Sequence, residues 1–167
     1  NDANIVFETV ASTFNSLTAK ADDGISLSVD LTTDTGDMIL EADSDNNADS
    51  NDKISLSGTR TLTSAKDMIL DATSSAGIEA DSTLVLNTVD NLIINDDLTT
   101  DGVTTINADS DDSGVGNLTL ASLMTINTQS SATTITANDI ILDGSLTTGS
   151  ADLNLLVSDG GEIGLGD

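Results

Sequence analysis

Apolar and polar residues alternate along this chain in short bursts, and the bursts return. Asp37-Met38-Ile39-Leu40-Glu41-Ala42 comes back as Asp67-Met68-Ile69-Leu70-Asp71-Ala72, as Asn91-Leu92-Ile93-Ile94-Asn95 and as Asp139-Ile140-Ile141-Leu142-Asp143-Gly144. Asn117-Leu118-Thr119-Leu120-Ala121 and Glu162-Ile163-Gly164-Leu165-Gly166 are weaker copies. Starts at 37, 67, 91, 117, 139 and 162 are separated by 30, 24, 26, 22 and 23 residues. A strand-length apolar segment returning at that interval predicts a solenoid, in which each turn buries its apolar face against the next.

The segments between these copies fill out the coil. Ile25-Ser26-Leu27-Ser28 alternates strictly and reads as a half-buried strand, Leu31-Thr32-Thr33 follows, and Asp34-Thr35-Gly36 turns the chain into the opening motif. Ile54-Ser55-Leu56-Ser57, Leu62-Thr63-Ser64 and Asp67 repeat that order, and Asn4-Ile5-Val6-Phe7-Glu8 already has the form of the repeat. Leu98-Thr99-Thr100 and Leu146-Thr147-Thr148 instead follow their motif, which leaves the strand order within a coil open. Thr133-Thr134-Ile135-Thr136 and Leu153-Asn154-Leu155 read as later strands. Two polar insertions, from Asp43 to Asp52 and from Asp109 to Gly114, are expected to lie in solvent. Six or seven coils of 22–30 residues, about 4.8 Å apart, predict a rod roughly 30 Å long.

Alternation also assigns the faces. With Met38 and Leu40 inward, Asp37 and Glu41 point out, where unpaired carboxylates are tolerable, and Ile39 points out with them. The same rule places Ile69, Ile93 and Ile141 in one outward column, which reads either as a contact surface or as a tolerated β-branched row.

Composition narrows the picture. The 167 residues are expected to form one segment, 1–167, of a longer repeat array, since the chain starts on Asn1-Asp2-Ala3-Asn4 and ends on Gly160-Gly161-Glu162 opening a coil. Phe7 and Phe14 are the only aromatics, so Leu, Ile, Val and Ala must fill the core. Proline is absent, which leaves every strand its N–H groups. The net charge of −25 comes from 29 acids against Lys20, Lys53, Arg60 and Lys66. Such a surface repels nucleic acid and anionic membranes. The acids are almost all Asp, which suits turns better than helices.

Catalytic chemistry is not indicated. There is no His or Cys for a triad or a zinc site, and Arg60 is the lone guanidinium, so no enzyme is expected. Calcium is the better candidate ligand: Asp43, Asp45, Asn47 and Asp49, and again Asp109, Asp111 and Asp112, space oxygen ligands as hard-cation loops do, although the Gly and Glu of an EF-hand loop are missing. The alternative for both loops is a solvated acidic turn. Thr61/Thr63 and Thr134/Thr136 invite an ice-binding reading, which requires the same pair on every coil of one face. Asn117-Leu118-Thr119 matches a glycosylation sequon inside an expected strand, where chance explains it.

The irregular 20–30-residue repeats with Leu-Thr-Thr, Asp-Met-Ile-Leu and Gly149-Ser150-Ala151-Asp152-Leu153-Asn154-Leu155 patterns resemble the filamentous-haemagglutinin-like shafts of large secreted bacterial adhesins. That resemblance implies an all-β, right-handed parallel β-helix displayed outside the cell as a stalk or fibre; the open last coil is expected to continue into neighbouring repeats or to stack end to end on another copy. The alternative expectation is a binding module whose acidic loops or Ile column meet calcium or a surface partner.

Overall fold

The computed structural model describes residues 3–47, 51–72 and 76–165, and among them every helix or strand is a strand. The first coil holds β1 (Ile5–Phe7), β2 (Ser12–Phe14) and β3 (Leu17–Lys20); the second β4 (Ile25–Leu27), β5 (Leu31–Thr33) and β6 (Met38–Glu41). The third holds β7 (Ile54–Leu56), β8 (Arg60–Ser64) and β9 (Met68–Asp71); the fourth β10 (Ile78–Ala80), β11 (Leu84–Thr88) and β12 (Leu92–Ile94). The fifth holds β13 (Leu98–Thr100), β14 (Thr104–Asn107) and β15 (Leu118–Leu120); the sixth β16 (Thr125–Asn127), β17 (Thr133–Ala137) and β18 (Ile140–Leu142). The seventh holds β19 (Ser145–Thr147), β20 (Leu153–Val157) and β21 (Ile163–Leu165). Each strand pairs in parallel with its counterpart one coil away, giving three seven-stranded sheets: A from β1 to β19, B from β2 to β20 and C from β3 to β21. The fold is a β-solenoid of seven turns with a three-sided cross-section.

The opening motif is sheet C. Met38, Met68, Leu92, Leu118 and Ile140 stack in register, as do Leu40, Leu70, Ile94, Leu120 and Leu142, and all are buried. Ile25, Ile54, Ile78, Leu98 and Ile126 form the matching stack of sheet A, and Leu31, Leu62, Leu86, Ile106 and Ile135 that of sheet B. A fully buried aliphatic side chain of this size contributes about 1.5–3 kcal/mol. These stacks therefore supply most of the driving force for folding. Phe7 and Phe14 meet edge to face in the first coil, with centroids 6.4 Å apart.

Leu-Thr-Thr does not mark one place in the coil. Leu31 and Leu62 lie in sheet B, whereas Leu98 and Leu146 lie in sheet A, so the two orders in the sequence are two uses of one local device. The residue two after the Leu turns inward at a corner and its hydroxyl bonds the carbonyl beyond the bend. Thr33 donates to the Gly36 carbonyl at 2.6 Å and Ser64 to that of Asp67 at 2.8 Å on leaving sheet B. Thr148 donates to the Ala151 carbonyl at 2.9 Å on leaving sheet A, and Thr128, which ends an Ile-Asn-Thr segment, donates to Ser131 at the same distance. A Thr corner can therefore follow either sheet.

Coil length varies at the corners and not in the strands. Ile25 pairs with Ile54 29 residues on, whereas Ile78 pairs with Leu98 after 20. The two polar insertions carry much of the excess, but neither lies wholly in solvent as the sequence suggests. Asp52 is completely buried and Asp43 half-buried, so the described ends of the first insertion fold into the corner between sheets C and A while Asp45 and Asn47 are exposed. Asp49 lies outside the described residues. In the second insertion Asp109 is buried. That loop closes on itself at Gly116, where a Cβ would stand 1.6 Å from the Ala108 carbonyl oxygen; only glycine fits.

Candidate functional site

The outward surface of sheet C is the most ordered in chemistry. The Asx residue preceding each of β6, β9, β12, β15 and β18 accepts a backbone N–H from the next coil. Asp37 Oδ1 accepts from Asp67 (3.3 Å), Asp67 Oδ1 from Asn91 (3.0 Å), Asn91 Oδ1 from Asn117 (3.3 Å), Asn117 Oδ1 from Asp139 (3.1 Å) and Asp139 Oδ1 from Glu162 (2.8 Å). Asn91 Nδ2 also donates to Asp67 Oδ1 at 2.9 Å. Asn117, the sequon residue, is thus one rung of a ladder. Beside this ladder Ile39, Ile69 and Ile93 stand in direct register, Thr119 interrupts the column, and Ile141 continues it. The first three are half-buried and Ile141 is 38% exposed.

The four cations are all used between coils. Lys20 meets Glu41 at 2.5 Å, Lys53 meets Glu79 at 2.7 Å, Arg60 meets Asp30 at 3.5 Å and Lys66 meets Asp90 at 3.1 Å. Exposed pairs of this kind contribute little, because solvent and salt screen them. No Lys or Arg follows Lys66, so the later coils carry acids alone.

Besides Asp52, three carboxylates leave the solvent wholly or in part for reasons the sequence does not display. Asp96 is 4% exposed at the corner after β12 and accepts the Ala72 N–H at 2.8 Å. Burial, aided by the charge and hydrogen bond of Asp71 and the charge of Asp97, pushes its pKa up to about 6, against the opposing pull of the Ala72 N–H. Burial and the charge of Asp52 also push Asp43 up. Asp109 goes the other way. It accepts from Ser113 N (2.9 Å), Ser113 Oγ (3.3 Å), Gly114 N (3.1 Å) and Ser158 Oγ, and these donors outweigh its burial and hold it below the usual Asp range.

These placements bear directly on calcium. Asp109 is spent on its own loop and on Ser158 two coils away, while Asp111 and Asp112 are exposed. In the first loop Asp45 accepts the Asn47 N–H at 3.0 Å, an Asx turn that uses one carboxylate oxygen locally. Among the described residues no three Asp, Glu, His or Cys side chains gather as a metal site.

The Thr pairs share one face. Thr61, Val85, Thr105, Thr134 and Asn154 form one outward column of sheet B, and Thr63, Asn87, Asn107, Thr136 and Leu156 the next. Thr61/Thr63 and Thr134/Thr136 therefore occupy equivalent positions, but Val85/Asn87 and Thr105/Asn107 stand between them, so the identical pair that an ice lattice reading requires does not recur coil by coil. On sheet A a shallow groove of about 350 Å³ runs past Ser55, Glu79, Thr99 and Asp101. Two acids along it are already engaged: Glu79 by Lys53, and Asp81 by Ser57 Oγ and the Gly58 N–H.

Comparison with known protein families, with curated proteins and with solved structures finds no match for this chain.

Proposed function

We propose that the chain is a length of structural shaft, the stalk or fibre of an extracellular adhesin-like protein. The observation that carries the reading is the unbroken register of three parallel sheets through seven coils, reinforced outside by the Asx ladder and inside by continuous aliphatic stacks. Such a body resists bending because every coil is bonded to its neighbours on three sides, and its properties are set one coil at a time. The free edges of β1–β3 and β19–β21 offer the same parallel bonds to a further coil, in the same chain or in another copy. The acidic surface keeps neighbouring shafts apart and soluble.

Cryo-electron microscopy of the native, full-length material tests this reading. Long rods with a regular axial repeat of about 4.8 Å support a shaft. Isolated short particles carrying a distinct head would narrow the reading to a stalk or a binding module, and particles with no rod at all would refute it.

The register of Ile39, Ile69 and Ile93 supports a second reading, in which sheet C is a contact face. Replacing these three and Ile141 by Thr separates the two. Loss of partner binding or bundling with an intact fold favours the contact face; no change favours the passive shaft.

A further inference from the structure

We infer that the corner from 108 to 117 is a strap that ties coil five directly to coil seven, so that the last three coils open as one unit and not one at a time. Such a strap is a property of the fold, whether or not the chain is a shaft. In a solenoid each coil touches only its neighbours, and coils are free to peel from an end in sequence. The Asx ladder, the Thr corners and the four ion pairs obey that rule, joining a coil to itself or to the next one. Asp109 and Ser158 break it, because their side chains meet across two junctions, a rise of roughly 10 Å along the axis.

The lengths of three successive corners make this reach possible. Between sheets B and C, coil five spends residues 108–117, coil six only Asn138 and Asp139, and coil seven residues 158–162. The long corner of coil five therefore passes the short one of coil six and meets the corner of coil seven, where Gly114 lies against Asp159. On the way the Gly116 carbonyl accepts the Asn138 N–H at 2.7 Å. On the far side a Cβ on Gly161 would stand 1.6 Å from the Asn138 carbonyl oxygen. The coil-six corner is thus clasped between glycines of the coils on either side. At its root the strap is held from the opposite direction, by the Ser110 N–H donating to the Thr88 carbonyl of coil four at 2.8 Å.

The join is dry and charge-assisted. Asp109 is 3% exposed and Ser158 9%. Hydrogen bonds to an ionised group are stronger than neutral ones, and a buried polar group left without its partner costs its full desolvation. Asp109 also accepts from Ser113 N, Ser113 Oγ and Gly114 N, so one carboxylate both shapes the strap and holds its far end. When coil seven peels away, Asp109 loses the Ser158 donor and its cover. When the loop opens, Ser158 loses its acceptor and the coil-six corner loses its clasp. Each event removes the reason for the other to stay closed, a coupling that a row of nearest neighbours lacks.

Native-state hydrogen exchange on the intact chain, followed amide by amide, tests the strap. Thr148→Ala weakens coil seven without touching it, since that hydroxyl donates to Ala151 of the same coil. Ser158→Ala cuts the strap, and the double variant completes the cycle. Circular dichroism establishes that each variant is folded. Leu155→Ala, at the core of coil seven, replaces Thr148→Ala if the latter leaves exchange at position 158 unchanged. With Ser158 present, weakening coil seven should speed exchange at Ser113, Gly114 and Asn138 by the same factor as at Ser158, about tenfold. In the Ser158→Ala background it should speed position 158 alone and leave Ser113 and Gly114 within about twofold of their rates before coil seven was weakened. Ser57, whose N–H bonds Leu27 near the other end, should keep its rate throughout. Unchanged rates at Ser113 and Gly114 in the first comparison, or equal acceleration of both amides in the two backgrounds, overturn the inference. Acceleration at Ser57 equal to that at Ser113 also overturns it, because the chain then opens as a whole.

Discussion

Asp96 makes the chain more stable in mild acid than at neutral pH, and a single substitution isolates that effect. The group lies at the corner between β12 and β13, 4% exposed, with Ala72 N–H donating to it and Asp71 beside it. Its pKa rises from 3.8 to about 6, because burial and two neighbouring acids penalise the charge. The folded state therefore holds this proton more tightly than the unfolded chain does. The stabilising contribution is complete below the unfolded value near 4 and is lost as pH rises through about 6. At about 1.4 kcal/mol per unit, the full swing is at most about 3 kcal/mol. Asp96→Asn removes the ionisation and keeps both contacts, since the amide oxygen still accepts from Ala72 and the amide N–H can donate to Asp71. Urea denaturation at pH 4.5, 6 and 8, at fixed ionic strength, is the assay. The variant's advantage over the parent should be about 1 kcal/mol at pH 4.5, where part of the loss has already occurred, and grow to about 3 kcal/mol at pH 8. The remaining acids titrate in both proteins, so the difference between them reports Asp96 alone. A difference that stays constant across the three pH values would refute the reasoning.

Three further outcomes follow from the same surfaces. Asp109→Ala leaves Ser113 N, Gly114 N and Ser158 Oγ without their acceptor and should cost about 2–4 kcal/mol at pH 7 by denaturant melts. Because the Asp109 pKa is lowered on folding, its contribution is present above the ordinary Asp range and is lost as pH falls through the folded value, so the cost should shrink in acid. Asn91→Ala removes one rung of the ladder and should cost about 1 kcal/mol, with faster amide exchange at Asn117, whose N–H it accepts, and little change at Glu162. Raising NaCl from 20 mM to 0.5 M should raise the melting temperature, because screening relieves the repulsion among the acid-only later coils more than it weakens four exposed ion pairs.

How much of this was legible in the sequence depended on which groups a residue answers to. Sheet C was visible because its strands follow an Asx residue, or Glu162 in the last coil, and keep apolar residues at alternate positions, so Asp37, Asp67, Asn91, Asn117, Asp139 and Glu162 mark every coil from the second onward. Strands such as Thr104–Asn107 and Thr125–Asn127 were not, because Thr104 points into the core and breaks the apolar alternation; its hydroxyl meets that of Thr100 at 2.6 Å. The Leu-Thr-Thr segments announced a strand end but not a sheet, since a corner hydroxyl serves equally after A or B. The buried acids were the least legible. Asp96 answers to an amide 24 residues earlier and Asp109 to a hydroxyl 49 residues later, separations set by coil length and invisible in a local window. The calcium reading rested on spacing within the loops and had no access to those partners.

The Asx ladder has a mechanical consequence. Its bonds and those of the three sheets run along the axis, so within any one junction between coils they share a pulling force in parallel. The junctions themselves are loaded in series. A shaft of this kind has the strength of its poorest junction, and adding coils lengthens it without strengthening it. Between the second and third coils β5 and β8 share only Leu31–Leu62 and Thr32–Thr63 as ladder partners, and there the Asp30 carboxylate reaches across to the Thr61 N–H and the Arg60 guanidinium. The β13–β16 ladder between the fifth and sixth coils is equally short, and there the Asp97 carboxylate reaches across to the Thr125 N–H; these two seams are the places to look first for rupture under load.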